Sequence, residues 1–200
     1  MFPTPELAGA AVVCSTVHNR SICHERTLVL ASILLATSGS AVLAQSTAEK
    51  TGVNSVIGVA PKTEDFVLEA ASSDMFEIES SRLALERSNE KTKPFAQQML
   101  TDHQKTSDEL KAIVTSGKGK ATIPTVMSSA HQGMLDDLKK LQGEEFNKQY
   151  YSDQEDVHED AVDLFKRYGD EGDNAELKAW AAKTLPALEH HLQMATDMNK

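Results

Sequence analysis

The stretch Phe95-Ala-Gln-Gln-Met-Leu-Thr-Asp-His103 places Phe95, Met99 and His103 four residues apart, the spacing of one helix face. Followed further, that face reads Thr106, Leu110 and Ile113. Thr92 stands where a helix cap belongs, Pro94 falls in the first turn, and Gly117 and Gly119 end the run, as helix boundaries do. The segment is therefore a long amphipathic helix with a histidine on its buried stripe.

The neighbouring segments repeat the pattern. Thr63 precedes Glu64 and Asp65, acids suited to the positive end of a helix dipole. Phe66, Ala70, Ser81, Ala84 and Ser88 then recur at helical spacing, and Asp74 and Glu77 occupy positions expected to be apolar. A carboxylate on a core stripe must be paired, protonated or bound to a cation. After a loop over 118–125, Thr125 or Ser128 opens a shorter helix of about 15 residues, rising about 22 Å, with Met134, Leu135, Leu138 and Leu141 apolar and Gly143 closing it. This helix is expected to carry the chain back along the molecule.

A third long helix, from Glu144 to about Tyr168, carries Phe146, Tyr150, Gln154, Val157, Ala161, Leu164 and Tyr168 on its stripe, with His158 at the edge. Asp173-Asn-Ala-Glu176 reads as a capping box for the last helix. That helix aims Leu177, Ala181, Leu188, His191, Ala195 and Met198 inward, and Pro186 is expected to kink it. No stretch reads as a strand. The expected architecture is all-α, four long helices in a ferritin-like bundle, with the crossover helix between the second and third.

The chain has 200 residues, 40% hydrophobic and 25% charged, which suits one globular domain. Residues 1–44 are expected to be a signal peptide, with an over-extended start as one explanation of its length. Arg20 and Arg26 precede the apolar run Leu28 to Leu35, and Val42-Leu-Ala44 offers small residues for cleavage before Gln45. The run is too short and too rich in serine and threonine for a stable membrane span. Residues 45–62 form a flexible lead-in, and 63–198 form the bundle. Cys14 and Cys23 both precede the cleavage point, leaving the exported domain without a thiol or disulfide.

A net charge of −10 argues against nucleic acid and anionic lipid as partners. No serine stands in a Gly-x-Ser-x-Gly elbow, and Gly117-Lys-Gly119 is too short to cradle a phosphate. A homo-oligomer is compatible with the sequence, which names no partner.

The motifs Lys93-Pro-Phe-Ala-Gln-Gln-Met-Leu-Thr-Asp-His103, Leu138-Lys-Lys-Leu-Gln-Gly-Glu-Glu-Phe146, Tyr151 to Phe165 with His158, and Leu185-Pro-Ala-Leu-Glu-His-His191 resemble the secreted bacterial family known as domain of unknown function 4142. The resemblance spans Thr63 to Met198. It implies a ferritin-like four-helix fold in an exported protein predicted to be periplasmic or outer-membrane, and it implies little about activity. Asn147 stands where the resemblance leads one to expect an aspartate.

Glu77, His103, His158 and His191 point inward from four helices, a donor set that suits Fe, Zn, Cu or Mn. Glu155-x-x-His158 has the spacing of carboxylate-bridged dimetal bundles, making Glu155 a secondary candidate. His103 and His191, however, have leucines at that offset, so the dimetal set is incomplete. Met99 and Met194 could add thioethers for copper, although methionine at this spacing also fills cores. Counted from helix ends, Glu77, His103 and His158 lie at similar levels, and His191 falls about 6 Å off.

The reading the sequence favours is a buried hydrogen-bonded network, with Asp74 or Asp102 as partners, that fixes helix register in an exported protein of structural, stress-related or interaction role with no reaction of its own. The alternative is a metal-binding protein or metal-dependent oxidoreductase using Glu77, His103, His158 and His191.

Overall fold

The computed structural model describes Ser46, 53–119 and 121–200. The expected signal peptide, with Cys14 and Cys23, lies outside the described residues. These residues form α1 (Val53–Val56), α2 (Thr63–Arg87), α3 (Lys93–Thr115), α4 (Ser129–Leu138), α5 (Gly143–Glu171) and α6 (Ala175–Met198), with no strand among them. The fold is all-α, as the periodicity requires.

Four long helices close a bundle in which α2 packs on α3 and α5, and α6 packs on the same two. Contacts at the ends fix their directions. At one end Thr63 at the start of α2 meets Tyr168 near the end of α5, and Asn174 before α6 donates to the carbonyl of Lys118 after α3. At the other, Arg87 at the end of α2 donates to the carbonyls of Lys139 and Leu141, just before α5. Neighbours are therefore antiparallel, with α3 parallel to α5 across the diagonal.

Several local expectations are corrected. Helix α4 has 10 residues rather than about 15, because the chain breaks into turns after Leu138. Ser128 caps it, accepting from the backbone N–H of His131. Helix α5 runs through Gly169 to Glu171 because that glycine lies against Ala182 of α6, where a side chain would meet backbone atoms at 3.2–3.3 Å. The cap of α6 is Asn174, which accepts from the N–H groups of Glu176 and Leu177. Asp173 instead accepts from Thr63, so the residue expected to cap α2 ties two helices together. The segment before α2 is also held to the bundle: Ser55 donates to Asp163, and Arg167 to the carbonyl of Val59.

The apolar interior falls into two clusters. One gathers Phe66, Leu110, Leu164, Phe165, Tyr168, Leu177 and Trp180, with Phe66 stacked on Tyr168 at 3.9 Å between ring centroids. The other gathers Phe76, Phe95, Met99, Leu138, Phe146, Tyr150 and Ala195. Along every long helix the change from one cluster to the other falls at a buried polar residue: Asp74 in α2, His103 in α3, His158 in α5 and His191 in α6. A polar layer thus divides the core at mid-height.

Candidate metal centre

Each histidine of this layer is held by a hydrogen bond through one ring nitrogen. His103 Nδ1 lies 2.9 Å from Asp74 Oδ1, which also accepts from Thr106 at 2.7 Å. An ionised carboxylate can only accept, so Nδ1 carries a proton, and in the neutral ring Nε2 keeps its lone pair. His158 Nδ1 donates to the backbone carbonyl of Gln154 at 2.8 Å, again freeing Nε2. His191 Nε2 donates to Asp102 Oδ2 at 2.9 Å, and its Nδ1 is buried with no protein partner.

The three rings converge. The three rings form a nearly equilateral set, with centroids 5.3, 5.4 and 5.4 Å apart. One ligand atom from each of His103, His158 and His191 lies within 4.8 Å of the others. His103 Nε2 and His158 Nε2 are 3.3 Å apart, and tetrahedral metal–nitrogen bonds of about 2.0–2.1 Å imply a spacing of about 3.3 Å. Two lone pairs at this distance repel unless a proton or a cation lies between them.

Electrostatics keep two of the rings neutral. Burial, reinforced by charge on His103, holds His158 well below the usual histidine range and His191 at about 4. For His103, burial acts downward too, but the Asp74 hydrogen bond and the charges of Glu77, Asp74 and Asp102 outweigh it and raise the group. Burial also raises Asp74, so both partners of the His103–Asp74 pair hold a proton more readily than their free groups do. A metal ion would take the place of a proton in such a site.

The other sequence candidates lie differently. Glu77 is fully buried and accepts from Gln154 Nε2 at 2.7 Å. Its other oxygen has no hydrogen-bond partner and lies 3.8 Å from His158 Nδ1, the nitrogen already bonded to the Gln154 carbonyl. Glu77 therefore backs His158 and is not one of the converging group. Burial pushes its carboxyl up to about 7. Glu155 accepts from Thr196 and Asn199, which holds it toward the end of α6 and away from the triad, so Glu155-x-x-His158 does not form a bridging pair. His103 pairs with Asp74, one turn before the Glu77 expected opposite it.

His191 is the residue that counting from helix ends misplaced. That count assumes level ends, whereas register here is set by side-chain contacts, above all Asp102 to His191. The fixing of His158 by the Gln154 carbonyl had no sequence signal, since every residue carries that group. His131, partly exposed, packs outside the triad. It stacks on Phe76 at 5.7 Å and bonds Ser72 at 2.7 Å through Nδ1.

The fold and triad define an all-α bundle with a histidine-lined interior, and the comparisons agree with its architecture. The family described as Domain of unknown function (DUF4142) matches residues 47–198, and the chain belongs to that family. No curated protein matches the sequence. Among solved structures, CopM in the Cu(II)-bound form is similar, with a TM-score of 0.59 and 16% identity over 70% of this chain and 97% of CopM. At that identity the likeness shows the shared helical fold. No helix among the described residues is long and apolar enough to cross a membrane.

Proposed function

We propose that this protein is an exported metal-binding bundle that holds one transition-metal ion on His103, His158 and His191. The observation that carries the reading is the convergence of three histidines, each fixed through one ring nitrogen, by Asp74, the Gln154 carbonyl and Asp102. Metal-binding histidines are oriented by such partners. The donor set also fits the group chemically: neutral imidazoles suit Cu, Zn, Fe and Ni, with Cu(II) at the top of the Irving–Williams order. Copper is the first ion to test, and CopM, of similar fold, has been solved in a Cu(II)-bound form. Three protein ligands leave a coordination position for a small exogenous ligand, and no reaction is assigned to it.

A second reading rests on the 3.3 Å contact between His103 Nε2 and His158 Nε2. A proton shared there would make the layer a register-fixing network in a protein of structural, stress-related or interaction role. Metal analysis of protein purified without a histidine tag separates the two. After chelator treatment and reconstitution with Cu, Zn, Fe and Mn, the metal reading expects one ion per chain, lost in His103→Ala, His158→Ala and His191→Ala and retained in Glu155→Gln. Substoichiometric uptake of all four metals with no change in melting temperature leaves only the network. Export is checked separately by cell fractionation and by sequencing the mature N-terminus, expected at Gln45.

A further inference from the structure

The charge around the triad exceeds what the histidines need for orientation alone. Asp74 and Asp102 each accept from a ring N–H at 2.9 Å, and Glu77 backs His158 at 3.8 Å. Asp74 and Glu77 are buried, and Asp102 keeps 41% of its side chain exposed. Among the described residues, no lysine or arginine pairs with any of the three. In the neutral form that ligates a metal, the three imidazoles bring no charge of their own. Three carboxylates therefore stand against the three converging histidines, in a medium where an unmatched charge is costly.

We infer that the site selects a divalent over a monovalent ion, and so holds Cu(II) in preference to Cu(I), with Asp74, Asp102 and Glu77 as the specificity-determining residues. The inference rests on the reading of the triad as a metal site and concerns which ion it takes. Each carboxylate attracts a +2 ion twice as strongly as a +1 ion at the same distance. Hydrogen bonds donated to carboxylates raise the basicity of the imidazoles, which further favours the ion of higher charge. Nitrogen donors already suit Cu(II), whereas Cu(I) is favoured by thiolates and thioethers.

The test uses the full protein at pH 8. Cu(II) and Cu(I) affinities are measured by competition with chelators selective for each state, and the midpoint potential of the bound copper is measured directly. Asp74→Asn and Asp102→Asn are each expected to lower Cu(II) affinity about 10–100-fold. The loss for Cu(I) is expected to be at least tenfold smaller, and the potential to rise by about 59 mV for every tenfold difference.

Glu77→Gln separates charge from orientation, because it keeps the side-chain shape and removes no hydrogen bond to a ring nitrogen. It is expected to raise the potential in the same direction with helicity unchanged. Should Asp74→Asn fail to fold, Asp102→Asn and Glu77→Gln carry the test. Equal losses in both oxidation states, with the potential at its wild-type value, overturn the charge argument and leave the metal site standing. Wild-type protein that takes up copper in neither state overturns the reading of the triad beneath it.

Discussion

His131 shows how one side chain can be fixed without belonging to a site. Ser72 Oγ accepts from the backbone N–H of Ser128 and shares a hydrogen bond with His131 Nδ1. Burial lowers this histidine to about 4, because charging it would cost its hydration. The folded pKa lies below the unfolded one, so the contribution to stability is present above about pH 6.5 and is lost as pH falls toward 4. Chemical denaturation of wild type and His131→Gln should show it. The stability advantage of wild type is expected to narrow by about 2 kcal/mol between pH 7 and pH 5, and an unchanged difference would count against the buried neutral ring. At the triad the same scale separates His191 from Glu155: only the first is expected to matter for metal content.

At the scale of the element, the four long helices are defined by their apolar stripes and closed by specific residues. Gly172 follows α5 and donates its N–H to the carbonyl of Tyr168 at 2.8 Å. A Cβ there would lie 2.5 Å from that carbonyl oxygen and 2.7 Å from the Tyr168 ring, so some atom must shift. Gly172→Ala is expected to destabilise the fold by about 1–3 kcal/mol, read as a lower denaturation midpoint with unchanged slope. The disturbance also reaches Thr63 and Asp173, which meet the Tyr168 hydroxyl. Stability equal to wild type would show that the end of α5 relaxes freely.

For the whole molecule, the polar layer between two apolar clusters makes stability depend on what fills it. An ion that binds only the folded chain adds about 2.7 kcal/mol when free metal is a hundred times the dissociation constant. A domain of this size gains roughly 2–4 °C per kcal/mol, so reconstitution should raise the melting temperature by about 5–10 °C. Calorimetry with and without chelator checks this, and His191→Ala should abolish the shift. On the proposed metal reading, protein without an ion keeps Asp74 and Glu77 buried with no cation beside them and is expected to be the weaker form.

Periodicity alone determined the four long helices, because a buried face must recur every three or four residues whatever its partners. It also marked Asp74, Glu77, His103 and His191 as polar residues on apolar stripes, and it placed His158 at the edge of one. The family motifs from Phe95 to His103 and from Leu185 to His191 are legible for the same reason. Helix ends were less so: Gly169 reads as a breaker and Thr63 as a cap, yet close packing on Ala182 and a bond to Asp173 decide their roles. What only the tertiary structure decided is which polar residues meet. His103 chooses Asp74 over Glu77, His191 joins the triad through Asp102, and Glu155 turns to Thr196 and Asn199. A sequence gives each helix its inward face, but the relative height and rotation of neighbouring helices arise from side-chain packing between them, and ångström-scale convergence of nitrogens depends on both.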